Sequence, residues 1–147
     1  MMSQPTQVDP RGLRFVAGIT AVVLALVLAI PSEPVRIVLL AVQVAVFAVA
    51  AFIGLQRSPY AVVFARLVRP RIGPPAELED SRPPRFAQVV GLTFTAVALV
   101  LLLAGATTAA LVATAFALVA AVLNAAIGLC LGCELYLALR RLAPAGA

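Results

Sequence analysis

Polar residues along this chain gather in the gaps between four apolar runs. The first run is Leu13 to Ile30, closed by Pro31-Ser32-Glu33-Pro34, and the second extends from Val35 to about Gln56 with Arg36 at its start. The third is Phe86 to Ala104. A Gly105-Ala106-Thr107-Thr108 turn then leads to a fourth that begins near Ala109. Each approaches the roughly 20 residues needed to cross a hydrocarbon core of about 30 Å. Lipid offers a backbone no hydrogen-bond partner, so the pattern predicts four helices even though the valine content would favour strands in water. Arg11 and Arg14 could mark the n-region of a signal peptide. The first run is longer than a typical h-region, however, and Leu28-Ala29-Ile30-Pro31 offers no Ala-x-Ala cleavage site, so a retained helix is expected.

Composition supports a membrane chain. Hydrophobic residues make up 63%, charged residues 12%, and mean hydropathy is +1.10. A soluble domain is roughly half apolar and about a quarter charged. The net charge is +5, and all of the positive charge is arginine. Arg11 and Arg14 precede the first run. Arg57, Arg66, Arg69, Arg71, Arg82 and Arg85 lie between the second and third, and Arg140 and Arg141 follow the fourth. Four crossings put all of these on one side and leave only Arg36 on the other. The positive-inside rule therefore predicts both termini and the middle loop in the cytoplasm, with the helices in the cell membrane. The basic balance is read as a topology signal and a contact with anionic lipid, not as a nucleic-acid footprint.

The chain also repeats itself. Asp9-Pro10-Arg11-Gly12-Leu13-Arg14-Phe15 matches Asp80-Ser81-Arg82-Pro83-Pro84-Arg85-Phe86 at Asp, Arg, Arg and Phe, an offset of 71 residues (Asp9 to Asp80). Ile53-Gly54-Leu55 matches Ile127-Gly128-Leu129, and Arg66 to Pro70 matches Arg140 to Pro144, both at an offset of 74 (Ile53 to Ile127). We expect a single membrane domain over residues 1–147. It would hold repeat one at about 9–70, a Pro-rich, charged linker at 71–79 and repeat two at about 80–144. Two crossings per unit make the repeats parallel, about an axis along the membrane normal. In repeat one, Ser58-Pro59 has the N-cap and first-turn chemistry of a further short helix. On it Val63, Phe64, Leu67 and Val68 would face lipid, and Arg66 and Arg69 headgroups. Carried over at the offset of 74, this predicts a spanning helix ending near Leu129 and a second short interfacial helix from Cys133 to about Leu142. An unbroken fourth helix would instead be about 50 Å long. The predicted class is thus all-α integral membrane, with each pair of spanning helices followed by a short cytoplasmic helix.

Candidate chemistry is sparse. With no histidine, the commonest general base and zinc ligand is absent. The two cysteines stand together in Gly128-Leu129-Cys130-Leu131-Gly132-Cys133-Glu134. Three readings stay open for them. In the first they pack helices alongside the glycines as small apolar side chains. Alternatively, they form a reversible dithiol near a helix N-terminus, whose amides stabilise a thiolate. In that reading Glu134 opposes the thiolate, and a reducing cytoplasm argues against a permanent disulfide. A metal would need thiolates pooled from two chains, so neither a metal nor another cofactor is expected. Asn124 and Gln43 are the strongly polar residues deep in the fourth and second runs, and both are expected to bond between helices. Asn124 could also polarise the cysteine site. Thr20, Gln88, Thr93, Thr95, Thr107, Thr108 and Thr114 read as locally satisfied.

Val8-Asp9-Pro10-Arg11-Gly12-Leu13-Arg14-Phe15, Pro84-Arg85-Phe86-Ala87-Gln88 and Leu123-Asn124-Ala125, followed by Gly128-Leu129-Cys130-Leu131-Gly132-Cys133-Glu134-Leu135-Tyr136, together resemble the bacterial "domain of unknown function" family 4395. The resemblance covers nearly the whole chain. The family comprises small membrane proteins, frequent in actinobacteria and often encoded near thioredoxin-like proteins and sulfurtransferases. It therefore implies a thiol or sulfur role, with Cys130, Cys133, Asn124 and Glu134 on the matching positions. The leading expectation is a thiol or sulfur relay between Cys130 and Cys133 and a cytosolic thioredoxin-like or sulfurtransferase partner. The alternatives are a dimeric transporter for a sulfur-containing anion and an accessory subunit of a larger membrane complex. No ionisable residue deep in a span supports transport. Small residues such as Gly18, Gly54, Gly91 and Gly105 suit close helix contacts in a complex.

Overall fold

A computed structural model describes residues 7–143. The expected end of repeat two at Pro144 and the two chain ends lie outside the described residues. Strand β1 is Gln7–Val8, and Asp9 caps helix α1, Pro10–Ala29, by accepting the Arg11 amide at 2.9 Å. Pro10 suits the first helical position, where the missing N–H would have no partner. Pro31 closes this helix and Ser32 caps α2, Glu33–Ala48, which runs on through a wider π-helical turn, Val49–Ile53. A 3₁₀ turn, Leu55–Arg57, leads to a continuous helical stretch: α3, Pro59–Val63, a π-helical turn, Phe64–Val68, and α4, Arg69–Ile72. Strand β2, Glu79–Asp80, precedes α5, Arg82–Leu103. Gly105, at φ 88°, turns the chain into α6, Thr107–Ile127, and α7 is Leu131–Leu142.

Four helices are long and apolar enough to cross a membrane: Pro10–Ala29, Glu33–Ile53, Arg82–Leu103 and Thr107–Ile127. They form a ring in which α1 packs on α2 and α6, and α5 packs on the same two. Away from the arginine-rich end, Leu24, Val27, Leu40, Ala98, Leu102 and Ala110 make the main core. Much of the outer surface is apolar, with Val100 and Leu103 among its exposed side chains. A water-soluble monomer rarely exposes so much apolar surface, whereas lipid would cover it.

At the arginine-rich end, β1 pairs antiparallel with β2, Val8 opposite Glu79 and Gln7 opposite Asp80. Two arginines tie helix ends across the ring. The Arg14 guanidinium donates to the carbonyls of Ala125 (3.2 Å) and Ala126 (3.0 Å) at the end of α6, and Arg85 Nε donates to Ala51 O (2.7 Å) at the end of the second span. Late carbonyls of a helix lack intrahelical partners, and a cation suits the negative end of its dipole. Arg36, at the opposite end, donates to Val27 O at 2.9 Å.

Two expectations are corrected. Phe64 does not face lipid: it is buried, its ring 5.6 Å from that of Phe15 and against Gly12. The last short helix begins at Leu131, two positions before the expected Cys133, because the stretch between Gly128 and the N-cap is shorter than that between Gly54 and Ser58. Cys130, not Gly132, therefore holds the capping place that Ser58 holds earlier in the chain.

Candidate functional site

Gly128 ends α6 in the left-handed region, at φ 72° and ψ 14°, where a side chain would be strained. After this break Cys130 is extended and caps α7, its sulfur accepting the Cys133 amide at 3.1 Å. Cys133 is the third residue of the helix, and the two sulfurs are joined as a disulfide, with Cα atoms 5.1 Å apart. The N-cap-to-N3 relation explains the pairing, since it brings two residues three apart within disulfide reach. The sequence-based argument against a lasting disulfide rested on a reducing compartment. The geometry of the capping turn allows the bond regardless.

Gly132 lets α7 lie close against α5. A Cβ there would sit 2.6 Å from both Cα and Cβ of Ala87. One turn on, the Tyr136 ring is 5.6 Å from that of Phe86, and Arg140 Nη1 donates to the Tyr136 hydroxyl at 3.2 Å.

The disulfide lies on a cavity of about 520 Å³ walled by α1, α2, α5, α6 and α7. Asn124, one turn before Gly128, lines it together with both cysteines. The structure thus brings three of the four expected site residues together. Glu134, the fourth, is exposed and does not line the cavity, although its amide donates to Cys130 O at 3.0 Å. Among the described residues the Asn124 side chain makes no hydrogen bond, so its expected interhelical bond is not formed. Gln43 does make one: buried completely, it donates to Thr20 Oγ1 at 3.3 Å and accepts from the Tyr60 hydroxyl at 2.9 Å. Thr95 and Thr114 bond back to Gly91 O and Ala110 O, each at 2.9 Å, as expected.

Sequence reasoning missed Arg14 and Gln88 as cavity residues. The repeated Asp-Arg-Arg-Phe pattern had marked Arg14, but only as a charge. Gln88 had been read as locally satisfied, whereas its Oε1 is buried without a hydrogen-bond partner. Among the described residues no three His, Cys, Asp or Glu side chains converge as metal ligands would.

Two carboxylates pair with arginines at the same end. Asp9 is buried and bonded by Arg11 (2.8 Å), with Arg69 at 3.5 Å. The Arg11 hydrogen bond holds its carboxyl below the usual range. Asp80 is exposed, and the Arg82 guanidinium at 2.7 Å brings its pKa down to about 2.

The fold and site define a helical protein, compatible with a multi-pass membrane protein, that carries a paired-cysteine turn over an internal cavity. Residues 8–141 match the model of the family described as Domain of unknown function (DUF4395), and the chain belongs to that family. Comparison with curated proteins and with solved structures gave no match.

Proposed function

We propose that this is a bacterial cell-membrane dithiol–disulfide protein whose Cys130–Cys133 pair exchanges electrons or sulfur with a thioredoxin-like or sulfurtransferase partner at the cytoplasmic face. The observation that carries this reading is the pair itself, closed across the N-terminus of α7 on the wall of a cavity. Amides at a helix N-terminus stabilise a thiolate and so favour exchange there. In the exchange a partner thiolate attacks one sulfur, the Cys130–Cys133 bond breaks and a mixed disulfide forms. The partner's second thiol then releases the dithiol, so two electrons and two protons move from partner to pair. Asn124 shares the cavity wall with the two sulfurs, and Glu134 follows Cys133 in sequence as the carboxylate of the same turn.

We further infer the two-unit organisation at about 9–70 and 80–144. Its support is reciprocal. Arg14 bonds to the end of α6 while Arg85 bonds to the end of the second span, and Val8 pairs with Glu79, its equivalent at the offset of 71. Self-complementary contacts of this kind are what a two-fold axis generates. On this reading α3 with α4, and α7, lie at the cytoplasmic interface.

The test is partner trapping in cells. One of Cys130→Ser and Cys133→Ser should accumulate a mixed disulfide, and the double variant should hold none. Equal capture by the double variant, or no capture by any form, overturns the reading. After reduction by a membrane-permeant dithiol and its removal, membrane-impermeant maleimide applied to intact cells and to inverted vesicles tests the orientation: labelling from the outside alone would reverse it.

A further inference from the structure

The cavity does not stop at the cysteines. Thr20, on its wall, lies ten residues into α1, about 15 Å from the helix start and so near half the depth of a roughly 30 Å hydrocarbon core. Phe94 and Phe116 also line it, with rings 6.4 Å apart, and they are 40% and 63% exposed on the outer surface of the bundle. The cavity therefore runs from the disulfide to the surface that lipid would cover. A water-soluble substrate has no use for that side entrance, whereas a molecule dissolved in the bilayer does.

We propose that the cavity admits a lipid-soluble quinone, which oxidises the Cys130–Cys133 dithiol from the membrane side. This deepens the dithiol–disulfide reading and rests on it. The aromatic wall suits a planar ring, since offset or edge-on contacts between rings are favourable. Asn124, on the cavity wall, has an unbonded amide able to donate to a quinone carbonyl. The step balances: two S–H bonds break, one S–S bond forms, and two electrons and two protons pass to the ring oxygens, converting quinone to hydroquinone. It also supplies the oxidant that a disulfide on a reducing face requires.

The experiment uses the full chain in lipid nanodiscs, reduced and then freed of reductant without oxygen. Duroquinone is the probe, because its fully substituted ring cannot be alkylated by thiols. One quinone should be reduced per pair of thiols lost, measured by absorbance and by maleimide mass shift. Cys130→Ser with Cys133→Ser should show neither change. Ala121→Phe places a ring in the cavity and should slow oxidation of the dithiol by quinone about a hundredfold relative to its oxidation by soluble diamide, because the reactants can no longer approach. Independently of any variant, a photoreactive azidoquinone should label the wild-type chain around Phe94 and Phe116. Labelling confined to the outer positions Val100 and Val119, or quinone reduction no faster than in the double variant, overturns the proposal. If soluble diamide and a thioredoxin-like protein still exchange with the pair while quinone is inert, the cavity holds a lipid chain and only this inference falls. If quinone oxidises the pair but no soluble partner exchanges with it, the partner reading falls.

Discussion

The turns that follow the second and fourth spanning helices are laid out alike and filled differently. Gly54 and Gly128 each end a span, and Ser58 and Cys130 each stand at the N-cap of the helix beyond. In the first turn Phe64 fills the space beneath, its ring 3.1 Å from where a Gly12 Cβ would be, and buried Asp9 with Arg69 seals the top. The cavity left there is about 230 Å³. In the second turn the ion pair Asp80–Arg82 is exposed, a disulfide replaces the serine–proline start, and the cavity is about 520 Å³. The first turn is packed and the second, of the same outline, is open, so substitutions beneath the two should differ in cost.

The sharpest way to break that contrast is at the glycine in the first turn of α7. Gly132→Ala drives a Cβ into the backbone of Ala87, so α7 must move. Overpacking of this kind costs about 1–3 kcal/mol, and we expect both a lower thermal midpoint in detergent and slower closure of the disulfide after reduction. Gly12→Ala should cost less, because its Cβ meets only the edge of the Phe64 ring. Equal losses would remove the distinction between the two turns.

The two arginine ties come next. Arg85 is half-buried and makes a single bond at 2.7 Å, so Arg85→Ala should cost roughly 1.5–3 kcal/mol, as bonds from charged donors do. Arg14 makes three longer bonds but is exposed, so Arg14→Ala should cost under about 1 kcal/mol. Thermal unfolding of both variants in one lipid composition checks the ranking, and a larger loss at Arg14 reverses it.

How much of this the sequence carried differs between elements. The four spans were legible because a run of about 20 apolar residues has few other uses. The start of α7 was not, because no proline marks it as Pro59 marks α3, and the repeat was carried forward without its shortened turn. Phe64 was misassigned for a reason peculiar to membranes: an apolar face reads the same whether it meets lipid or protein. The cysteines announced themselves by type and spacing. Arg14 and Gln88 did not, since only the fold brings the start of α1 and the first turns of α5 to the same cavity as residue 130.

Gln43 offers a smaller test, confined to the first half. Gln43→Leu removes the bonds to Thr20 and Tyr60 at a buried site, and interhelical bonds of this type are worth about 1–2 kcal/mol in model systems. We expect a modest drop in thermal midpoint with disulfide exchange unchanged. Altered exchange would mean that the two halves are coupled.

Acidification should produce the smallest effect and still separate the two ion pairs. Asp9 and Asp80 both have folded pKa values below the ordinary 3.8, each chiefly through a hydrogen bond from an arginine two residues on. A carboxylate lowered by folding stabilises fully above its unfolded value, and the contribution is lost as pH falls through the folded one. For Asp80 that window is 3.8 down to about 2. Its pair is exposed, however, and surface pairs are screened, so Asp80→Asn should leave the acid limb of a stability curve almost unmoved. Asp9 also caps α1 and meets Arg69, so Asp9→Asn should flatten that limb and lower stability at neutral pH, while asparagine keeps the cap. An acid limb that responds to Asp80 and not to Asp9 would place the rigid turn beside Asp80 and invert the comparison.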